Sequence, residues 1–254
     1  MSTPSAAGEP ARSRSNVVID GIRQMIMSGE LVAGSRLPVE RELGERLGVS
    51  RGPLREGVRA LVILGVLETR QGDGTYVTSL EPSQLFEPLG ILAELQSPEN
   101  AVHLLGVRRA LEPEAAARAA LLISDDDLAE ARRILDHGEG LLADDDVDLE
   151  ATIDVDTAFH RLIANASGNP AFAAIIEALV SRTARARLWR AIHQSGAVHD
   201  TQREHRAILD ALTAHDAERA RIRMAAHVLG VEEYTASHLA PVDPDEDRDI
   251  RHRA

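Results

Sequence analysis

The segment from residue 37 to residue 77 constrains the fold most strongly. Its pattern predicts two short helices, a tight turn, a longer helix and a β-hairpin, in that order. Pro38 suits the first turn of a helix, where its missing N–H is not needed. Gly48 ends that helix, and Ser50 is a good N-cap for the next one. Two β-prone runs then flank a turn with two glycines at 71–74. This order of elements predicts a winged helix-turn-helix, an architecture that binds DNA.

Arginines lie where the second helix of such a motif would enter a DNA groove. Arg51 and Arg55 are four residues apart and therefore share one face of the N-terminal end of that helix. Arg41, on the preceding helix, can reach backbone phosphate. Phosphate contacts position a protein on DNA, whereas base contacts specify the sequence. The alternative is an ordinary solvated helix face, and the accompanying turn and hairpin argue against it.

This segment resembles the DNA-binding domain of GntR-family transcription regulators. The matching residues are Gly29-Glu30-Leu31, Gly34, Leu37-Pro38, Glu40-Arg41, Leu43, Val49-Ser50-Arg51, Arg55-Glu56 and Gly72-Asp73-Gly74-Thr75-Tyr76-Val77. The resemblance implies that the contacts with DNA come from Arg41, Ser50, Arg51, Arg55 and the wing residue Gly74.

Three residues depart from the family pattern. Val39 stands where a serine is usual, and Gly57 stands where a helix-favouring alanine is usual. Asp73 occupies a wing position that often carries a basic or polar residue. Because a carboxylate repels phosphate, Asp73 argues against a side-chain contact from the wing and leaves the backbone N–H of Gly74 for that role.

Charge is distributed unevenly along the 254 residues. Residues 1–78 contain 10 Arg and 9 acidic residues, a net charge of +1, whereas residues 79–254 contain 18 Arg and 32 acidic residues, a net charge of −14. The acidic part disfavours nonspecific contact with DNA. The near-neutral DNA-binding segment predicts modest affinity for each protomer, so we expect a homodimer on double-stranded operator DNA.

Cysteine and lysine are both absent from the chain. The lack of cysteine removes disulfides, thiolate metal ligands and cysteine nucleophiles. The lack of lysine excludes Schiff-base chemistry, and with it the pyridoxal-phosphate domain of one branch of the GntR family. There is no apolar run of about eighteen residues and no apolar signal segment at the N-terminus. We therefore expect a cytoplasmic protein without a membrane partner.

The predicted domain organisation has five parts. They are a flexible arm at 1–14, the winged helix-turn-helix at 15–78, a linker at 79–96, an all-helical effector-binding and dimerisation domain at 97–240, and a disordered tail at 241–254. The fourth part shows six or seven amphipathic helices and no convincing strand, which predicts an antiparallel all-α bundle. The fold class is thus mainly α, with a small β-hairpin wing in the first domain.

A second chemical signal lies in the helical part. Asp156 and His160 are four residues apart on one predicted helix, and His205 and His227 lie on the last two helices in apolar surroundings. One carboxylate and three imidazoles form a ligand set for a divalent transition metal such as Zn, Ni or Mn. The spacing alone is weak evidence, because such pairs are common on helix surfaces.

The helical part resembles the FCD effector domain of the FadR branch of GntR regulators. The matching residues are Val107-Arg108, Leu111-Glu112, Asp156, Phe159-His160, Ser167-Gly168-Asn169-Pro170, Glu204-His205, Ile208-Leu209, Asp216-Ala217, Ala220 and His227. The resemblance implies a metal bound by Asp156, His160, His205 and His227. It also implies that Arg108, or Arg109 in its place, binds a small carboxylate effector through its planar fork.

We predict a DNA-binding transcription regulator, acting as a repressor, and no catalytic residues. A small organic acid bound with the metal would control its affinity for operator DNA. Two alternatives stay open. One is a regulator that responds to metal without an organic effector. The other is a metal-dependent hydrolytic enzyme that uses the Asp/His site to activate water.

Overall fold

The computed structural model describes residues 13–84, 100–143 and 147–238. The chain divides into two compact units, residues 1–88 and 89–254. Most of the predicted arm, most of the predicted linker and the predicted tail lie outside the described residues. The fold class is as predicted: the described chain is mainly helical, and its sheet is a two-stranded antiparallel hairpin in the first unit.

The first unit is a small helical bundle with a wing. Its elements are α1 (Arg14–Met27), α2 (Glu40–Leu47), α3 (Arg51–Ile63), β1 (Leu67–Arg70) and β2 (Gly74–Val77). The strands pair antiparallel with Leu67 opposite Val77. Residues 37–77 hold one helix before the turn rather than the two predicted. The remaining helix, α1, lies upstream, where Val18, Ile22 and Met25 repeat at helical spacing and are buried.

The turn between α2 and α3 follows the sequence prediction. Gly48 adopts a left-handed conformation with φ of 64°, which glycine accepts without a Cβ penalty. The N–H of Val49 then donates to the carbonyl of Gly44 at 3.0 Å. This hydrogen bond satisfies a carbonyl group near the end of α2. The chain turns there, and α3 begins two residues later at Arg51.

Gly57 marks the closest approach of α1 and α3. A Cβ at this position would lie 2.6 Å from Cβ of Val18 and 3.0 Å from the carbonyl oxygen of Ser15. The departure from alanine in the family pattern therefore has a packing reason, because alanine would force these two helices apart.

The second unit contains six helices within residues 100–143 and 147–238. They are α4 (Asn100–Leu122), α5 (Asp125–Leu142), α6 (Leu149–Ala166), α7 (Pro170–His193), α8 (Ala197–Thr213) and α9 (Ala217–His238). The most extensive packing joins α4 to α9, and α6 packs along α7. None of the helices in the described ranges is long and apolar enough to cross a membrane.

Local signals explain where these helices begin. Ser124 and Asp127 form a reciprocal capping box at the start of α5. Asn169 accepts hydrogen bonds from the first turn of α7, where Pro170 is tolerated at the first helical position. Proline commonly kinks or ends a helix, yet α4 runs through Pro113 from Asn100 to Leu122.

The core of the second unit surrounds the candidate site. Alanines of α4 let neighbouring helices approach, and larger apolar side chains from the other helices fill the space between them. The fully buried members include Ala116, Ala119, Ala120, Leu135, Phe159, Ile163, Ile208, Leu212, Met224 and Val228. This packing fixes the rotamers of the polar side chains that lie among them.

Candidate metal centre and DNA-binding surface

The four predicted metal ligands meet in the interior of the second unit. They come from three helices: Asp156 and His160 from α6, His205 from α8 and His227 from α9. Each is buried, with exposed fractions of 1–4%. One potential ligand atom from each residue lies within 4.8 Å of the others. Residues separated by up to 71 positions are therefore brought together by the helical packing.

The Nε2 atoms of the imidazoles converge. The Nε2 atom of His227 lies 3.2 Å from Nε2 of His160 and 3.3 Å from Nε2 of His205. The Oδ1 atom of Asp156 lies 3.6 Å from Nε2 of His205. Three ring nitrogens and one carboxylate thus face a common point, as tetrahedral coordination requires.

Two outer carboxylates orient the rings. Oε2 of Glu112 lies 2.5 Å from Nδ1 of His160, and Oε2 of Glu204 lies 2.7 Å from Nδ1 of His227. A neutral imidazole that donates from Nδ1 carries a lone pair on Nε2. The two lone pairs would then face each other and repel unless a cation lies between them. The arrangement therefore fits a divalent metal, and the outer carboxylates have the role seen around metal-bound histidines.

The electrostatics of the site favour the ligand forms of these groups. Burial lowers the pKa of His205 and of His227 well below the usual value, so both rings are neutral at physiological pH. Burial alone would raise the pKa of Glu112. The charge of Arg108 and the contact with His160 outweigh it and hold that pKa well below its usual range. Glu112 is therefore ionised, and its charge lies beside Nδ1 of His160.

Arg108, the predicted effector-binding residue, is 1% exposed on α4. Its guanidinium contacts Glu112, and its Nη1 donates to Oγ1 of Thr183 at 2.8 Å. It thus contacts the carboxylate that lies beside the predicted ligand His160. Arg109 is about half exposed and pairs with Glu232 at 2.6 Å. The effector-binding role of Arg108 stays a prediction.

A small cavity of about 40 Å³ lies beside two of the four predicted ligands. Asp156 and His205 form part of its wall, and Arg187 and Arg190 of α7 form another part. Both arginines are buried. The cavity is roughly large enough for a few water molecules, and its wall combines two guanidinium groups with the edge of the metal candidate.

Sequence reasoning missed Arg187 and Arg190. A signal was present, because the buried positions of α7 continue at helical spacing from apolar to polar residues. That stripe consists of Ile176, Val180, Thr183, Arg187 and Arg190. A charged residue in line with an apolar stripe is rarely buried unless an oppositely charged group pairs with it. Asp156 is that group for Arg187.

In the first unit, the predicted base-contacting residues lie at the exposed start of α3. Arg51 and Arg55 are exposed, and Ser50 precedes them without a capping hydrogen bond from its side chain. The guanidinium of Arg55 is held by the carboxylate of Glu40 at 2.9–3.1 Å. Arg59 continues the same exposed row at the next i, i+4 position.

The backbone-contacting side of the motif is also exposed. Arg41 on α2 forms a surface ion pair with Glu45 at 3.2 Å. Gly74, the predicted wing contact, starts β2. Tyr76 donates to Asp73 at 2.7 Å, and Arg36 lies 3.8 Å from the other oxygen of that carboxylate. Arg36 therefore offsets the negative charge of Asp73 in the wing.

A groove separates α3 from the wing. It has a volume of about 440 Å³, and its walls include Arg36, Glu40, Arg55, Arg59 and Gly74. Three arginines and two glutamates, Glu40 and Glu56, are among the residues that line this groove. The roles predicted for Arg41, Ser50, Arg51, Arg55 and Gly74 stay predictions.

Comparisons with known proteins agree with both halves of this description. Residues 14–77 match the family model described as bacterial regulatory proteins, gntR family, and residues 103–230 match the FCD domain. The chain is 32% identical over 220 residues to the HTH-type transcriptional regulator LutR of Bacillus subtilis, covering 85% of this chain and 98% of that protein.

Two further similarities extend along most of the chain. The putative L-lactate dehydrogenase operon regulatory protein of Escherichia coli is 31% identical over 234 residues, covering 85% of this chain and 84% of that protein. The solved structure of Streptococcus agalactiae GntR superposes with a TM-score of 0.63 at 27% identity, covering 87% of this chain and 99% of that one.

The matched families and relatives are transcription regulators, which removes the hydrolytic enzyme from the alternatives. The winged helix-turn-helix supplies a DNA-binding unit, and the helical bundle around the Asp/His cluster supplies the second domain. This chain belongs to the GntR family of DNA-binding bacterial transcription regulators, in the group that carries a C-terminal FCD domain.

Proposed function

We propose that this regulator senses a small organic acid together with a divalent metal in its helical domain, and that this binding controls its affinity for operator DNA. Asp156, His160, His205 and His227 hold the metal. When bound, the metal supplies a Lewis-acidic centre with room for an oxygen ligand. Zn, Ni and Mn all suit a site of this donor set.

The observation that carries the proposal is the convergence of the histidine Nε2 atoms. The Nε2 atoms of His160 and His227 lie 3.2 Å apart, and a carboxylate lies beside Nδ1 of each ring. With a proton on each Nδ1, the two Nε2 lone pairs face each other. A buried arrangement of this kind is unfavourable by itself and is relieved by a cation. Burial of His205 and His227 keeps those ligands neutral and available.

The charge balance supports an anionic effector. Three guanidinium groups lie around the site, and each has a carboxylate nearby: Arg108 has Glu112, Arg187 has Asp156 and Arg190 has Glu204. These charges cancel, so a divalent metal leaves two positive charges in excess. Excess charge in a region of low dielectric constant is costly, so an anion that binds the metal-loaded site is favoured.

The size of the cavity and one relative indicate the class of acid. A cavity of about 40 Å³ suits a short acid rather than a long acyl chain. A relative 31% identical to this chain is named for an L-lactate dehydrogenase operon. We therefore propose a short carboxylic acid, with 2-hydroxy acids such as L-lactate as the first to test.

On DNA, the regulator acts as a cytoplasmic homodimer and as a repressor. Two copies of α3 would then lie about 34 Å apart, one helical turn of DNA. The acid and metal change the relative placement of the two winged domains and thus the match to the half-sites. The coupling between effector and operator is reciprocal, as for any linked binding equilibrium.

Metal binding is tested by dialysis against Zn²⁺, Ni²⁺ or Mn²⁺ followed by elemental analysis of the purified chain. We expect about one ion for each protomer in the wild type, and loss of binding in His205→Ala. His199→Ala is the matched control, because His199 is exposed on the same helix. A wild-type protein that retains none of these ions would overturn the proposal.

Effector binding is tested by the thermal stability of the metal-loaded protein with acetate, glycolate, L-lactate, malonate or citrate. Binding to the folded state raises Tm by mass action. We expect at least one of these acids to raise Tm only when metal is present. If metal raises Tm and none of the acids raises it further, the result favours the alternative, a regulator that responds to metal alone.

A further inference from the structure

Arg187 lies at the point where the candidate metal centre meets the cavity. It is 5% exposed, and its Nη1 is in direct contact with Oδ2 of Asp156. Its Nη2 donates to the carbonyl oxygen of Val180 at 2.7 Å and to Oγ1 of Thr157 at 3.1 Å. The guanidinium is therefore held on one side by the backbone of its own helix and on the other by a metal ligand.

The hydrogen bonds of Arg187 are incomplete. Its Nε atom is buried and has no hydrogen-bond partner among the described residues. A buried N–H without an acceptor is unfavourable, so such a group is a strong site for an incoming acceptor. The same side chain forms part of the cavity wall, next to Arg190. An anion in this cavity would find an unoccupied donor.

Arg187 and a divalent metal would compete for Asp156. Both are cations, and each would be bound by the same carboxylate. A metal held by Asp156 would lie within a few ångströms of the guanidinium, where two positive charges repel strongly in a low-dielectric interior. The repulsion weakens the contact between Arg187 and Asp156 and leaves the guanidinium in need of a new anion.

We infer that Arg187 is the anion subsite of the cavity, and that it becomes free to bind a carboxylate only when a metal takes its place at Asp156. The ligand class is a small acid that binds the metal through one oxygen and Arg187 through its carboxylate. This inference rests on the proposed function, and it adds a rule to it: metal binding must precede tight acid binding.

Replacement of Arg187 tests the inference because two affinities should move in opposite directions. In Arg187→Met, the competing cation is removed from Asp156, and we expect the affinity for Zn²⁺ alone to rise roughly tenfold or more. The Zn²⁺-loaded variant should bind the acid that stabilises the wild type roughly ten- to a hundredfold more weakly, as expected for one lost charge-assisted hydrogen bond. A dye-competition titration measures the first, and calorimetry measures the second.

Two other variants keep the test decisive. Arg187→Lys retains the charge without the fork, so its Zn²⁺ affinity should stay near that of the wild type while acid binding weakens. The Arg187→Lys variant also tests the inference if Arg187→Met does not fold in the absence of metal. Arg185→Met is the matched control, because Arg185 is exposed on the same helix. It should change neither affinity.

Trp189 gives an independent readout near the subsite. It is the sole tryptophan of the chain, and its ring lies 5.8 Å from that of Tyr234. Arg190, which lines the cavity, lies over the Tyr234 ring. Acid binding at Arg187 should therefore change tryptophan fluorescence in the metal-loaded wild type, and in Arg187→Met only at higher acid concentration.

The outcomes separate the two proposals. Arg187→Met and Arg187→Lys with wild-type affinities for Zn²⁺ and acid, or with both affinities reduced alike, would overturn the inference and leave the proposed function intact. A wild-type protein that binds neither Zn²⁺ nor any acid would overturn both. Opposite changes in Arg187→Met, with Arg185→Met unchanged, support the inference.

Discussion

The ion pairs at the two candidate sites lie in opposite environments. In the winged domain, ion pairs such as Arg55 with Glu40 and Arg41 with Glu45 lie on the surface, with half or more of most side chains exposed. In the helical domain, the contact of Arg187 with Asp156 is buried, with both side chains at most 5% exposed. Exposed pairs exchange partners easily, whereas buried pairs exchange only for another charge.

This difference separates the task of reading DNA from the task of sensing a ligand. An arginine that must leave its partner for a phosphate or base is best held by a weak, solvated contact. A site that must respond to a metal or an anion is best built from charges that cannot be satisfied by water.

Loss of a buried charge should have the largest effect. Asp156→Ala leaves the guanidinium of Arg187 buried without its carboxylate, and we expect the free energy of unfolding to fall by about 3–5 kcal/mol. Denaturant titration of the metal-free protein measures it. Asp154→Ala, at an exposed position of the same helix, should stay within about 0.5 kcal/mol of the wild type. Equal stability of the two variants would contradict a stabilising role for the buried contact between Arg187 and Asp156.

Loss of the exposed arginines should affect DNA binding and leave folding unchanged. The double variant Arg51→Ala, Arg55→Ala removes two groups from the exposed start of α3, and we expect operator affinity to fall roughly a hundredfold or more. A gel-shift assay with DNA selected by the wild type measures this loss. The thermal unfolding curve of the double variant should match that of the wild type. Unchanged operator binding would contradict the assignment of α3 as the recognition helix.

The outer carboxylates should affect metal affinity more than stability. Glu204→Gln weakens the hydrogen bond to Nδ1 of His227. We expect roughly a tenfold loss of Zn²⁺ affinity, which is at the lower end of the losses seen when a group that orients a metal-binding histidine is replaced. Burial raises the pKa of Glu204, so the carboxylate holds the ring less firmly as the pH falls toward that raised value. Glu233→Gln, exposed on α9, should bind Zn²⁺ as the wild type does. The same result in both variants would show that Glu204 has no orienting role.

Release of a surface pair should have the smallest effect. Glu40→Gln weakens the hold on Arg55, and we expect operator affinity to change less than about fivefold. Because an anionic neighbour of the DNA is also removed, the change should be toward tighter binding. Fluorescence anisotropy with labelled operator can resolve it. A large loss of affinity would mean that Glu40 positions Arg55 for DNA, contrary to the weak, exchangeable contact proposed for the winged domain.

Local signals in the sequence were sufficient for much of the fold. The helix end at Gly48 was predicted correctly. The caps at Ser124 and Asn169 likewise depend only on neighbouring residues. Helix α1 was not predicted, although its buried positions repeat at helical spacing. At Pro113 the local signal is misleading, because proline favours a break and α4 nevertheless continues through it within the packed bundle.

The candidate site was predictable only in part for the same physical reason. The group Asp156, His160, His205 and His227 followed from the family resemblance, and the described chain brings these residues together. Their partners depend on contacts between distant helices. Arg187 reaches Asp156 from the neighbouring helix α7, and Glu112 reaches His160 from α4. No spacing along the chain encodes such contacts.

The central claim is that metal and acid in the helical domain control DNA binding. The most direct measurement is operator affinity by fluorescence anisotropy, with metal-free and Zn²⁺-loaded protein, each titrated with the acid that raises Tm. We predict that the acid weakens operator binding of the Zn²⁺-loaded protein by about fivefold or more and leaves the metal-free protein unchanged. Operator affinity that is the same in all four states would contradict the account.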